Sequence, residues 1–427
     1  MGPRAIPHVP KFAPSLLTRL EETIETAKRD DLQSKMLLAG FSSINALVEF
    51  IPQFVSPYIT KILSLALHPS IGEDEISGQI KKRSSEILRE LAKSVSARVL
   101  LPATYDYLPV ALKASDEATL GLLSFLKDTI SAMNKTDITG HYRSLFKFFM
   151  SLFDIRRNCS DTFDQEVIGE IESSSIDAFA KFVMELNEGT FKPGFLKLVE
   201  WGTTNEGSLN NRVFFSLADS IDDEARMITL FNIVNHLLET LKSIFVPHCA
   251  YIFDSTIEVL KDVANKKSEP NSLWIATLKV LFNCFLHNSD GFINEHRFNA
   301  VMQPLVSQIL ILERDPSVKE SVYKYVIPAI SQLAVAGGSD ALWKPLNTSL
   351  MMKSRSSNAE VRMICLRVLQ DMYMKLGEEL LGLLPETIPF LAELMEDDEH
   401  EVEKLCHEVC NLIQQYLGED IQQYFNA

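Results

Sequence analysis

Two His-Glu pairs and two cysteines crowd one short stretch: His400-Glu401, Cys406, His407-Glu408 and Cys410. Cysteines four apart on a helix share a face and supply half of a metal site. A helical zinc hydrolase needs a second histidine at fixed spacing after its His-Glu pair, and neither pair has one. Cys406 and Cys410 also fall on an apolar stripe with Val402, Leu405, Val409, Leu412, Ile413, Tyr416 and Leu417. That placement fits buried thiols better than ligands. The chain has no Gly-rich phosphate loop and no Gly-x-Ser-x-Gly turn. The expectation is therefore a protein without catalytic residues, metal, cofactor or small-molecule substrate.

Other residues could do binding chemistry. Lys81, Lys82 and Arg83 form one basic cluster, and Lys353, Arg355, Arg362 and Arg367 form a second. Clustered cations on one helical face can neutralise phosphates, so each cluster is a candidate RNA contact. The competing reading for Arg362 is an ion pair with a neighbouring acidic turn. The run Glu396-Asp397-Asp398-Glu399 reads as a solvated turn whose carboxylates cap the next helix. Phe191, Lys192, Phe195 and Trp201 could anchor a partner, since aromatic residues dominate interface hot spots. The favoured reading is that the three aromatic side chains plug a junction between helical blocks, which leaves Lys192 as the contact.

The elements that hold these residues repeat. Val361 and Val402 lie 41 residues apart, as do Gly377 and Gly418. Pro345 and Pro389 precede the two polar turns, and Pro304 with Asp315-Pro316-Ser317-Val318-Lys319 marks an earlier copy. Each unit predicts a proline-bearing helix, a polar capping turn and a second helix with one apolar face. One such pair cannot bury its apolar face alone and must stack on its neighbours. A period near 40 is the pattern of a HEAT-type solenoid. The fold expected is all-α: stacked antiparallel helix pairs with a less regular helical middle section.

Three blocks are expected along the chain: 1–135, 136–255 and 256–427. In the first, Pro14 and Pro57 are 43 apart, and Ile71 to Gly78 reads as a polar loop before the Lys81 helix. The opening residues read as the middle of a repeat, so the chain is expected to be part of a longer protein, whereas Gln422 to Ala427 reads as a natural end. In the second, Ile168 to Leu186 predicts a long amphipathic helix, 202–212 a polar loop and 213–245 renewed helix. In the third, 265–271 is a loop and Trp274 to Leu286 a buried helix. The formal charge is −16 over 427 residues. So acidic a chain is not a general nucleic-acid binder, and RNA contact would need local basic patches. Six unpatterned cysteines fit a reducing compartment. No apolar run is long enough to span a membrane. Asn347-Thr348-Ser349 is read as an incidental match to a glycosylation acceptor.

The run from Ala178 to Phe195, containing Asn187-Glu188-Gly189-Thr190-Phe191-Lys192-Pro193-Gly194-Phe195 and closed by Trp201, resembles a block of a known family. The family is that of the very large HEAT-repeat U3 small nucleolar RNA-associated proteins of the small-subunit processome, in their C-terminal region. Glu386 to Phe425 is similar to the end of the same family. Gly194 departs from the pattern, which would place a bulkier residue there. The resemblance implies a scaffold of the nucleus and nucleolus that helps assemble the processome for 18S rRNA maturation, tied to rDNA transcription. The partners it implies are processome proteins and the U3 snoRNP, with the pre-rRNA 5′ spacer reached through the full-length protein. The alternative is an importin-type transport receptor or another HEAT adaptor.

Overall fold

The computed structural model describes residues 6–26, 30–71, 75–203, 221–289 and 291–425. Among them there are helices and turns but no strand. The chain divides into two compact units, Met1–Leu198 and Val199–Ala427.

In the first unit the helices are α1 (Val9–Ile24), α2 (Asp31–Phe50), α3 (Ile59–Ala66), α4 (Glu75–Ser94), α5 (Ala97–Ala114), α6 (Asp116–Ala132), α7 (Lys135–Phe153), the single turn α8 (Ile155–Asn158) and α9 (Gln165–Met184). Helix α10 (Glu188–Thr203) carries the point of division. Alternate helices form two layers: α1, α3, α5 and α7 pack in sequence, and α2, α4, α6 and α9 pack beside them. Each apolar stripe is thus covered by the next pair, as stacking of incomplete units requires. Side-chain caps start several of these helices. Asp30 and Gln33 form a capping box, and Ser115, Asn134 and Asp164 accept from the backbones of α6, α7 and α9.

The second unit holds α11 (Ile221–Leu241), α12 (Phe253–Ala264), α13 (Ser272–Leu286), α14 (Glu295–Val306), the short α15 (Lys319–Ser321), α16 (Ile327–Gly337), α17 (Asp340–Lys353), α18 (Ala359–Leu376), α19 (Leu384–Met395), α20 (His400–Leu417) and the short α21 (Gln422–Phe425). One layer is α12, α14, α17 and α19; the other is α11, α13, α16, α18 and α20. The proline-bearing first helices are as expected, with Pro304, Pro345 and Pro389 inside α14, α17 and α19. Gly377 and Gly418 follow the last residues of α18 and α20, both with positive φ. Their 41-residue spacing is the spacing of two helix ends.

Polar side chains tie one repeat to the next. The buried Trp274 indole donates to Gln308 Oε1 at 3.0 Å, and Gln308 Nε2 donates to the Leu260 carbonyl at 2.9 Å. Asn347 Nδ2 donates to Thr387 Oγ1 at 2.9 Å, and Asn283 Nδ2 to Asn235 Oδ1 at 2.7 Å. A buried polar group must find a partner, so such bonds fix the register between pairs. Asn347 is 1% exposed, which disposes of the glycosylation match.

Some sequence boundaries shift. Residues 75–78 belong to α4 and not to the polar loop expected over 71–78; 72–74 lie outside the described residues. Residues 202 and 203 complete α10, while 204–220, the rest of the expected loop and the start of the next helix, lie outside the described residues. The loop at 265–271 and the buried helix after it are found as expected.

Candidate functional site

The second basic cluster begins at the C-terminal end of α17 and continues along α18. Arg355 Nε donates to Glu393 Oε2 at 2.8 Å, and its second nitrogen pairs with the other oxygen of that carboxylate. The guanidinium also lies 4.6 Å from the centre of the Phe390 ring. Arg362 is held more deeply. Its Nε and Nη2 donate to the two Asp397 oxygens, each at 2.7 Å, and Nη1 donates to the carbonyls of Ser356 and Ser357. Arg367 donates to Gln370 Oε1 at 2.8 Å and lies 3.9 Å from Glu408. Lys353 is half-buried at the end of α17.

This geometry corrects the picture of a phosphate strip. The arginines pair with carboxylates of the following repeat, the alternative reading offered for Arg362. The acidic turn changes character too. The Asp397 side chain is 8% exposed, not solvated, and it also accepts from the Glu399 backbone N–H at 3.0 Å. Burial pushes its carboxyl up, but the Arg362 guanidinium and that N–H outweigh burial and hold it below its ordinary value.

Phe191 and Phe195 do not form an exposed anchor. They are 8% and 1% exposed in the first unit, with ring centres 5.5 Å apart. Lys192, on the next turn position, is exposed. Gly194 explains its own departure from the family pattern: a Cβ there would collide with Tyr142 Oη and crowd Phe146. Tyr142 is fixed in turn by stacking on Phe146 and Phe182. Helix α10 approaches α7 through a position where only glycine fits. In the second unit Trp201 is half-buried, with the Arg226 guanidinium 5.5 Å from its ring centre.

Cys406 and Cys410 are buried on α20, and the Cys406 thiol donates to the Leu391 carbonyl. They are the buried thiols that the stripe implied.

The first cluster behaves differently. Arg83 pairs with Glu86 at 2.7 Å, whereas Lys81 and Lys82 are exposed on α4. Two further exposed cations of α4, Arg89 and Lys93, were not singled out from the sequence, because they are not contiguous with the Lys-Lys-Arg run. At 100° per residue the helix places Lys82, Arg89 and Lys93 within about 40° of one line, opposite the buried Ile80, Ser84, Ile87 and Leu91. Helical spacing, rather than adjacency, was the signal that could have found them.

Comparison with known proteins supports the family resemblance along the chain. Residues 137–293 match the BP28CT (NUC211) domain. HEAT repeat-containing protein 1 of Homo sapiens is 34% identical over 428 residues, covering 99% of this chain and 19% of the relative. U3 small nucleolar RNA-associated protein 10 of Aspergillus oryzae is 30% identical and covers 99% of this chain and 23% of the relative. The chain thus spans about a fifth of the length of the curated relatives it matches. Among solved structures, Kap121p bound to Ste12p overlays 96% of this chain on 38% of its own, with a TM-score of 0.58 and 15% identity. Importin beta covers 99% of this chain and 50% of its own, at a TM-score of 0.53 and 12% identity. These likenesses show the HEAT-type solenoid fold and nothing further.

Proposed function

We propose that this chain, which carries the BP28CT (NUC211) domain and is similar over 99% of its length to U3 small nucleolar RNA-associated proteins, is a scaffold segment in ribosome biogenesis. It works without catalysis. Stacked helix pairs offer a long face on which several partners are held at once. Its partners are processome proteins and the U3 snoRNP, with the pre-rRNA 5′ spacer reached through the full-length protein. Its place is the nucleolus, its output is 18S rRNA maturation, and the same protein is tied to rDNA transcription. The observation that carries this reading is similarity along the whole chain, which spans both units and not one repeat alone.

The structure agrees in one respect. The arginines that could have formed a reactive or anion-binding centre are used to lock repeat to repeat. Among the described residues no group of His, Cys, Asp and Glu is placed to hold a metal ion, and no helix is long and apolar enough to cross a membrane. The test is to delete 1–427 of this sequence from the parent protein in cells. The expected result is accumulation of the unprocessed 5′ precursor and a fall in 18S rRNA. Normal 18S levels with impaired import of a nuclear cargo would instead select the importin-type reading.

A further inference from the structure

From the ridge of α4 we infer that the first unit binds the sugar-phosphate backbone of single-stranded RNA through Lys82, Arg89 and Lys93, with Lys81 on the flank. This deepens the ribosome-biogenesis reading and rests on it for the choice of RNA.

The chain as a whole is acidic, so a run of uncompensated cations is unexpected. Lys81, Lys82, Arg89 and Lys93 are all exposed, and none is in an ion pair among the described residues. The helix carries carboxylates as well, but they lie off the ridge. Glu86 is turned to Arg83, and Glu90 accepts from the Ser94 hydroxyl. The ridge itself reads Lys82, Ser85, Arg89, Lys93, with no carboxylate on it. Between Lys82 and Lys93 it spans about 16 Å at 1.5 Å per residue. A strand with a phosphate every ~3.4 Å of axis offers about five charges over that length.

Shape agrees with charge. Helix α2 packs along α4, and its outward positions beside the ridge are small: Ala39, Ser43 and Ala46, all exposed. A polymer backbone can therefore approach the cations without meeting bulky side chains. The ridge presents no exposed apolar or aromatic residue, and protein partners are held chiefly by such anchors. Phosphate contacts need only cations and small polar groups. The charge complement that fits is a nucleic-acid backbone rather than an acidic protein surface.

The test uses the 427-residue chain and a fluorescent 20-nucleotide oligouridine, with anisotropy read across a salt series. The wild-type chain is expected to bind at low salt and weaken steeply as salt rises. The triple variant Lys82→Gln, Arg89→Gln, Lys93→Gln is expected to bind at least tenfold more weakly. Its slope of log K against log salt should be shallower by about 2, at about 0.7 per lost phosphate contact. Glutamine has a helix propensity close to lysine and arginine, and far-UV circular dichroism checks the fold. A control variant, Lys261→Gln in the second unit, should bind as wild type. Equal binding by the triple variant overturns the inference, and so does displacement of the RNA by polyglutamate at matching charge concentration. If the wild-type chain binds no oligouridine while the parent protein still brings down U3 RNA, the ridge assignment falls and the scaffold reading stands.

Discussion

Arg355 and Arg362 lie seven residues apart, each forked onto a carboxylate of the next repeat, yet the two pairs differ in worth. The side chains of Arg362 and Asp397 are 14% and 8% exposed, and those of Arg355 and Glu393 are 49% and 51%. Removing one partner of a buried pair strands the other charge in a poorly hydrated site, at about 3 kcal/mol or more. An exposed pair contributes about 0–1 kcal/mol. Arg362→Ala should therefore lower the urea midpoint clearly, and Arg355→Ala should hardly move it. The first loss depends on pH. Asp397 has a lowered folded-state pKa, so its contribution is present above the unfolded value, ordinarily 3.8, and disappears as pH falls through the lowered one. The gap between wild type and Arg362→Ala should be full at pH 7 and close in acid. A gap unchanged at low pH would mean that Arg362 acts by packing and not by charge. Such pairs were half legible in the sequence: a basic position opposite an acidic turn suggested Arg362, but nothing in the spacing could say that Asp397 is buried.

At the scale of elements, α10 and α18 show what local sequence can and cannot tell. The apolar period of α9, α13 and α20 gave their buried faces directly, because 3.6-residue spacing is a property of the helix itself. Gly194 was opaque, since the reason for it stands on α7, more than 45 residues away, in the ring of Tyr142. Gly194→Val should destabilise the first unit by about 1–3 kcal/mol through overpacking, seen as a lower thermal midpoint. A second test concerns a helix end. Gly377 has φ 57 and ψ −128, a conformation that side chains do not readily adopt, and Tyr416 stands 3.3 Å from where its Cβ would be. Gly377→Ala should cost about 1–3 kcal/mol. Gly78→Ala, where a Cβ meets nothing and φ is ordinary, should be neutral or slightly stabilising. Equal effects at the two glycines would show that the end of α18 relaxes freely. The start of α4 was misplaced in the sequence because Glu-Asp-Glu and two glycines read as a loop, although residues from 75 onward are wound into the helix.

For the whole molecule, repetition explains both the legibility of the fold and the silence of the site. A period near 40 announced stacked helix pairs, since each repeat must be covered by the next. The same repetition spreads function over a surface, with no pocket for a motif to mark. The basic ridge of α4 emerged only when burial separated the paired Arg83 from the unpaired cations beyond it. The family resemblance supplied what pattern could not, and similarity over 99% of the chain to proteins named for U3 small nucleolar RNA supports it. The most direct measurement is to purify the tagged parent protein from cells, sequence its RNA and identify its proteins by mass spectrometry. The account predicts enrichment of U3 RNA, the 5′ pre-rRNA spacer and processome proteins, lost when these 427 residues are deleted. Recovery of a small nuclear-transport GTPase and basic cargo, with no pre-rRNA, would contradict it.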